Sequence, residues 1–208
     1  VIAAMPPTGG AEARQGNNPL AFAFGAGGEP PVVVDGSMCK GTWGRLYLAL
    51  QRGEKLPPDS YVDKNGVPTV EPREVLDDGA LLPIAGHRGY GLAVAVELLT
   101  GMLAGWSLDH DVPHPYKVLD KPGDNTFFMA AIRIDYFTDV AQFKARMDEW
   151  IRWMRATRRA PGVERIWLPG EMEHVSRQER LVHGIPLHAA MLAELETLAG
   201  EAGVPFAL

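Results

Sequence analysis

Residues 20–24 alternate large and small apolar side chains, residues 25–31 interrupt them with glycine and proline, and Val32, Val33 and Val34 follow as an unbroken β-branched run. Two strands are predicted, the second apolar enough to be buried on both faces. Ser37 stands where a helix N-cap belongs, and residues 45–52 have the composition of a helix stopped by Gly53. Residues 53–82 are polar and turn-rich, with Asn65-Gly66 suited to a tight turn, and predict a long surface excursion. Residues 92–104 are apolar almost all round, with Gly101 and Gly105 spaced for the approach of another backbone, and predict a central buried helix. The apolar run over 126–134 predicts a strand. Phe143, Met147, Ile151 and Met154 mark one face of a helix over 140–158, whose opposite face carries Lys144, Arg152, Arg155 and Arg159. Arg165 to Leu168 reads as a short strand ending in a loop, and a last helix is predicted over 187–199, after Pro186 and before Gly200. Strands alternating with helices make the fold class α/β.

Composition narrows the function. At 46% hydrophobic and 22% charged, the 208 residues have a globular composition, which excludes a disordered chain. A formal charge of −6 argues against nucleic acid as the partner, and the basic face of the 140–158 helix lacks the aromatic residues that stack bases. The longest apolar stretch, 92–106, is interrupted by Glu97 and falls short of the ~20 residues a bilayer requires, so no membrane association is predicted. Cys39 is the one cysteine; it cannot form a disulfide within the chain, which suits a reducing, cytoplasmic setting. The opening Val1-Ile2-Ala3-Ala4-Met5 reads as a strand already inside a fold, so the chain is expected to be a piece of something longer.

The richest chemistry lies in Gly86-His87-Arg88-Gly89-Tyr90-Gly91, immediately ahead of the predicted buried helix. Glycines let backbone amides approach phosphate oxygens, a helix start favours anions, and Arg88 can clamp a phosphate bidentately. The spacing Gly-x-x-Gly-x-Gly reverses the dinucleotide fingerprint and follows no clear strand, so a Rossmann site is not indicated; a close-packed glycine turn is the plain alternative. Asp35 ends a predicted strand, where it could accept from ribose hydroxyls or simply cap the next helix. Glu171, in Leu168-Pro169-Gly170-Glu171, could bind hydroxyls or face water, and Gly16-Asn17-Asn18-Pro19 has the composition of a turn. Asp109, His110, Asp111 and His114, with His174, His183 and His188, have the residue types of a zinc hydrolase site but no recognisable ligand spacing, and solvated loop charge explains them more simply. No metal site is predicted. Cys39 has no neighbouring His or base to make it a nucleophile.

Taken together, Met5-Pro6-Pro7, Gly16-Asn17-Asn18-Pro19-Leu20, Val34-Asp35-Gly36-Ser37, the 82–91 segment and Leu168-Pro169-Gly170-Glu171 occur in an order that resembles the malate/L-lactate dehydrogenase family, which is unrelated to the Rossmann dehydrogenases. That family includes ureidoglycolate dehydrogenase, diketogulonate reductase, sulfolactate dehydrogenase and reductases of cyclic imino acids. The resemblance implies a mixed sheet flanked by helices. Residues 1–135 would form the central part of the NAD(P)-binding domain, and residues 136–208 a helical region returning a cofactor loop to the same fold. It further implies a homodimeric oxidoreductase that uses NAD or NADP to interconvert a small 2-oxo acid and its 2-hydroxy acid by hydride transfer. Cofactor contacts would fall on Asp35, Gly36, Ser37, His87, Arg88, Gly89, Gly170 and Glu171, and substrate contacts on Asn18 and Arg45.

The chain also departs from the family pattern. Arg88 replaces a common Lys, Cys39 a common Ser, and Gly36 a larger apolar residue. The family's proton-donating His, with its neighbouring Ser and a carboxylate-binding Arg, belongs to an N-terminal portion that has no counterpart in these 208 residues. No catalytic residue is therefore assigned within the chain, and the alternative is a truncated, non-catalytic nucleotide-binding or dimerisation protein. Arg45 stands where the imine reductases carry an acidic residue; a cation there favours 2-oxo acids over an iminium.

Overall fold

The computed structural model describes residues 2–106, 112–113, 118, 120–123 and 125–207. The strands are β1 (Ala3–Met5), β2 (Gln15–Gly16), β3 (Leu20–Phe24), β4 (Val32–Gly36), β5 (Tyr61–Val62) and β6 (Ala80–Leu81). The helices are α1 (Trp43–Arg52), α2 (Pro72–Leu76), α3 (His87–Glu97), α4 (Val140–Arg155), α5 (Glu171–His183) and α6 (Ala189–Ala202), with a π-helical turn continuing α3 over Leu98–Met102 and a 3-10 turn at Ile134–Tyr136.

Among the described residues, the strands form three separate antiparallel pairs, β1-β2, β3-β4 and β5-β6, rather than the expected mixed sheet. A wider sheet needs more partner strands, and the apolar run at 126–134, expected to be one, is in no ladder and ends in the 3-10 turn at Ile134. Phe127, Met129 and Ile132 are instead largely exposed. The same lack of neighbours explains β4. Its register with β3 is regular from Leu20↔Gly36 to Phe24↔Val32, but only Val32 is buried and Val34 is 45% exposed, against the expectation of burial on both faces.

The main core joins Met5, Met38, Cys39, Leu46, Ala49, Leu56, Tyr61, Val75, Leu81 and Ala93. Four of the ten, Leu56, Tyr61, Val75 and Leu81, come from the segment the sequence marks as polar and turn-like. Residues 53–82 do not run over the surface, because Leu56, Tyr61, Val62, Val75, Ala80 and Leu81 all point inward from short elements between turns. Their polar neighbours lower the average hydropathy of the segment without changing which side chains are buried. Tyr61 is the largest fully buried side chain. Its hydroxyl donates to the Thr42 carbonyl and accepts the Thr42 N–H, both at 3.1 Å, while a Cβ on Gly41 would lie 2.3 Å from its ring. Tyr61→Phe is expected to cost about 1–2 kcal/mol in chemical denaturation, since it removes the acceptor of the Thr42 N–H and one of the two donors to the Thr42 carbonyl, which also accepts the Leu46 N–H. An unchanged midpoint would show that the hydroxyl contributes nothing.

Helix ends follow local chemistry more closely than helix burial does. Thr42, not Ser37, caps α1 by accepting the Arg45 N–H, and Gly53 closes it at φ +66°. Ser37 instead turns back on the Cys39 backbone. Asp139 caps α4, and α6 runs from a His188 cap through Gly200 to Gly203. In the helix expected to be central, only Gly89, Ala93 and Gly101 are buried, and Leu92, Leu98, Leu99, Met102 and Leu103 are exposed. A second small core, Val32, Ile151 and Leu168 with Ala26, Met147 and Met154 against it, seats α4 on β4. Residues 165–168 form no strand, and α5, which follows, is an element the pattern reading misses. The chain exposes 14757 Å², whereas a compact monomer of 208 residues exposes roughly 9,500 Å². Among the described residues, no helix is long and apolar enough to cross a membrane.

Candidate functional site

β4 and the segment after it are where the separated motifs meet. Met38 N–H donates to the Asn17 carbonyl at 2.8 Å, so Gly16-Asn17-Asn18-Pro19 lies against the exit of β4. Ile84 N–H donates to the Met38 carbonyl and Lys40 N–H to the Leu82 carbonyl, each at 2.9 Å, which lays residues 38–40, just after Asp35-Gly36-Ser37, beside residues 82–84, just before the glycine bend. From the other side, Val33 N–H donates to the Pro169 carbonyl at 3.1 Å, and a Cβ on Gly170 would stand 2.9 Å from that of Val33. Segments far apart in the chain thus meet on β4 and the residues that follow it.

The three glycines of the bend have different tasks. Gly86 takes φ +60° with ψ −131°, after Ala85 at φ +48°, a path for which glycine is suited because it has no Cβ. Gly89 is buried, and a Cβ there would lie 2.0 Å from the Ile84 carbonyl oxygen. Space is open around Gly86 and Gly91, where an added Cβ meets nothing within 4 Å. α3 starts at His87 with no side-chain cap, and His87 and Arg88 are both exposed. An uncapped helix start carries partial positive charge, and a guanidinium beside it adds a whole one. The bend is therefore packed on one side and open on the other.

The side chains singled out from sequence divide into available and committed groups. Asp35, Arg45 and Arg88 are exposed, with no side-chain hydrogen bond or ion pair among the described residues. Arg45 lies in the first turn of α1, and no bond ties it to the bend. Asn18 is buried and committed, with its amide donating to the Ala93 carbonyl at 2.9 Å and to Glu97 at 3.3 Å, so it anchors α3. Its neighbour Asn17 keeps a buried Oδ1 that receives no donor. Ser37 is committed to Cys39. Burial pushes the Cys39 thiol up to about 12, so it stays protonated and non-nucleophilic at neutral pH.

Glu171 is committed as well. Its Oε2 accepts the Leu168 N–H at 2.8 Å and its Oε1 accepts Arg155 Nε at 2.7 Å. Burial pulls this carboxyl upward, but the Leu168 N–H and Arg155, with Arg165 further off, outweigh it and hold the group below the usual Glu range. Among the described residues no group of His, Cys, Asp and Glu is arranged to hold a metal; Asp109, His110, Asp111 and His114 lie outside the described residues.

An open, cationic glycine bend has the chemistry that suits an anionic phosphate. The model of the malate/L-lactate dehydrogenase family matches residues 1–196. The chain belongs to that family. Within it, malate dehydrogenase of Pyrococcus abyssi is 35% identical over 209 residues, covering 96% of this chain and 56% of that protein. Ureidoglycolate dehydrogenase (NAD(+)) of Escherichia coli K12 is 33% identical over 181 residues, covering 87% and 51%. The crystal structure of malate dehydrogenase from Pyrococcus horikoshii superposes with a TM-score of 0.82 at 29% identity, over 99% of this chain and 57% of that one. The chain spans about half the length of these relatives. The likeness establishes the malate/L-lactate dehydrogenase fold, here with helices and small sheets.

Three residues at this family site escaped the sequence reading. Asp148 accepts the N–H groups of Gly27, Gly28 and Glu29 at 2.9, 2.8 and 3.2 Å, and Arg155 bonds to both Glu29 and Glu171. Arg155 looked like part of a solvated basic face, and nothing local distinguishes it from Arg152 or Arg159. A signal for α5 was present: Gly170 in the left-handed conformation, Glu171 and Glu173 in the first turn, and Arg180 and His183 in the last complement the helix dipole.

Proposed function

We propose that this chain forms the dinucleotide cradle of a 2-hydroxy-acid dehydrogenase, using NAD or NADP and acting on a small 2-oxo or 2-hydroxy acid. The observation that carries the reading is the glycine bend, open at Gly86 and Gly91, with an unpaired Arg88 beside the uncapped start of α3. The residues fit the cofactor's chemistry. Arg88, His87 and the backbone at Gly89 would receive the pyrophosphate; Asp35 with Gly36 and Ser37 would accept from ribose hydroxyls; the Gly170 bend would close the cradle from the far side of β4. The buried Asn17 Oδ1, which lacks a donor, suits an N–H from a bound ligand. When bound, the dinucleotide would supply or accept the hydride. This chain's contribution would be orientation, with the proton donor supplied from outside its 208 residues. Asn18 would act behind the substrate by anchoring α3, and Arg45 would favour a 2-oxo acid over an imine. One relative, from Pseudomonas syringae, is named as a reductase of cyclic imines, so a turnover comparison of pyruvate, oxaloacetate and a cyclic imine tests that preference directly. The large exposed apolar surface supports assembly as a homodimer.

Titration of NADH and NADPH into the wild-type chain and Arg88→Ala checks the cradle. The variant is expected to lose at least about 1 kcal/mol of binding, roughly fivefold, by losing a charge-assisted phosphate contact. Equal affinity would remove Arg88 from the site. Tight binding without turnover, when the rest of a family-length protein is supplied, would favour the alternative of a non-catalytic nucleotide-binding protein.

A further inference from the structure

Glu171 opens α5 yet is only 5% exposed, and both of its oxygens are engaged. Arg155, in the last turn of α4, reaches Oε1 through Nε and Nη2, while its Nη1 pairs with Glu29 at 2.5 Å. Two turns earlier on the same helix, Asp148 gathers the N–H groups of Gly27, Gly28 and Glu29. The C-terminal half of α4 therefore binds two loops: 27–29, which leads into β4, and 168–171, whose Pro169 carbonyl accepts from Val33 on β4. The second loop is also held by the burial of Leu168 and by the Val33 N–H bond to Pro169. Gly170 sits at φ +87° and α5 has no side-chain cap.

We propose that Arg155 is a positioning residue for dinucleotide binding. By clamping Glu171 and Glu29 it fixes the 168–171 bend against β4, and so sets Gly170 relative to Asp35, two residues along that strand from Val33. Glu171 then acts through its ion pair and its Leu168 hydrogen bond rather than by touching the cofactor. A planar fork reaching two carboxylates is a task for arginine, which lysine's single ammonium does not reproduce. The inference rests on the dehydrogenase reading for its ligand, but the clamp itself is a property of the chain alone.

The test has two arms on Arg155→Met, Arg155→Lys and Glu171→Gln. Amide hydrogen exchange is expected to show Val33 and Leu168 losing protection in Arg155→Met, while amides of the main core, such as Leu46 and Tyr61, keep theirs. Titration with NADH and NADPH, well below the thermal midpoint where each variant is folded, is expected to give about tenfold weaker binding for Arg155→Met, with Arg155→Lys and Glu171→Gln between it and wild type. A purely structural arginine would lower the midpoint and leave the affinity of the folded molecules unchanged; that outcome, or unaltered exchange at Val33 and Leu168, overturns the proposal and leaves the dehydrogenase reading standing. If Arg155→Met does not fold, the isosteric Glu171→Gln decides by the same two readouts. Wild-type chain that binds neither dinucleotide would overturn the dehydrogenase reading first, and this role with it.

Discussion

Gly89→Ala is expected to destabilise the chain by about 3 kcal/mol, at the upper end for overpacking, and to weaken dinucleotide binding together with it. The added methyl would lie 2.0 Å from the Ile84 carbonyl oxygen, and that neighbour is backbone, which has no rotamer to yield with. Ile84 is itself held by its N–H bond to the Met38 carbonyl, so relief must come from moving the start of α3 away from the 38–40 segment. For a chain of this length the thermal midpoint should fall by roughly 6–12 °C. Gly91→Ala, two residues further along α3 and so on a different face, provides the contrast. Nothing lies within 4 Å of its added methyl, and alanine in place of helical glycine gains roughly 0.5–1 kcal/mol. Melting both variants checks the packing, and titrating both with NADH checks the open side. Equal midpoints would contradict the division of labour among the three glycines.

Glu171→Ala is expected to cost about 3 kcal/mol, because it leaves the buried Leu168 N–H without an acceptor and removes one of Arg155's two carboxylates. The same carboxyl predicts how stability responds to acid. Its folded value lies below the ordinary 4.5, so the folded state binds the proton less readily than the unfolded chain. The stabilisation is complete above 4.5 and is lost as pH falls through the lower folded value. Denaturation of wild type and Glu171→Gln from pH 7 to pH 3 should show wild type more stable at neutral pH and the gap closing on acidification. A gap independent of pH would mean that the carboxylate's charge is not what holds the loop. Asp148 acts in the same direction, because the Gly28 N–H, with those of Glu29 and Gly27, holds it below the usual Asp range, so the difference between the two proteins is the quantity to follow.

The candidate residues were legible before their geometry. Glycine, proline and acidic motifs carry their chemistry locally, and a family likeness depends on their order, so Asp35, the His87-Arg88 bend and the Gly170 loop could be named from sequence. Burial could not. Leu92, Leu98 and Leu103 are as apolar as any core residue and stand exposed, whereas Tyr61 and Leu81, in a segment that reads as surface, are fully enclosed. Asn18 and Glu171 read as ligand contacts through the family resemblance; which partner each one has is decided by residues 75 and 16 positions away.

The amino-acid sequence by itself determined the local features: Gly53 as the stop of α1, the β3-β4 pair and the family motifs in order. These depend on interactions within a few residues, which the chain carries wherever it goes. Only the tertiary structure decided that β4 is the meeting point, that Gly89 packs while Gly86 and Gly91 face open space, and that one arginine on α4 ties two loops to that strand. Those outcomes rest on contacts between distant segments. Which of several equivalent arginines or asparagines finds a buried partner depends on where the backbone carries it.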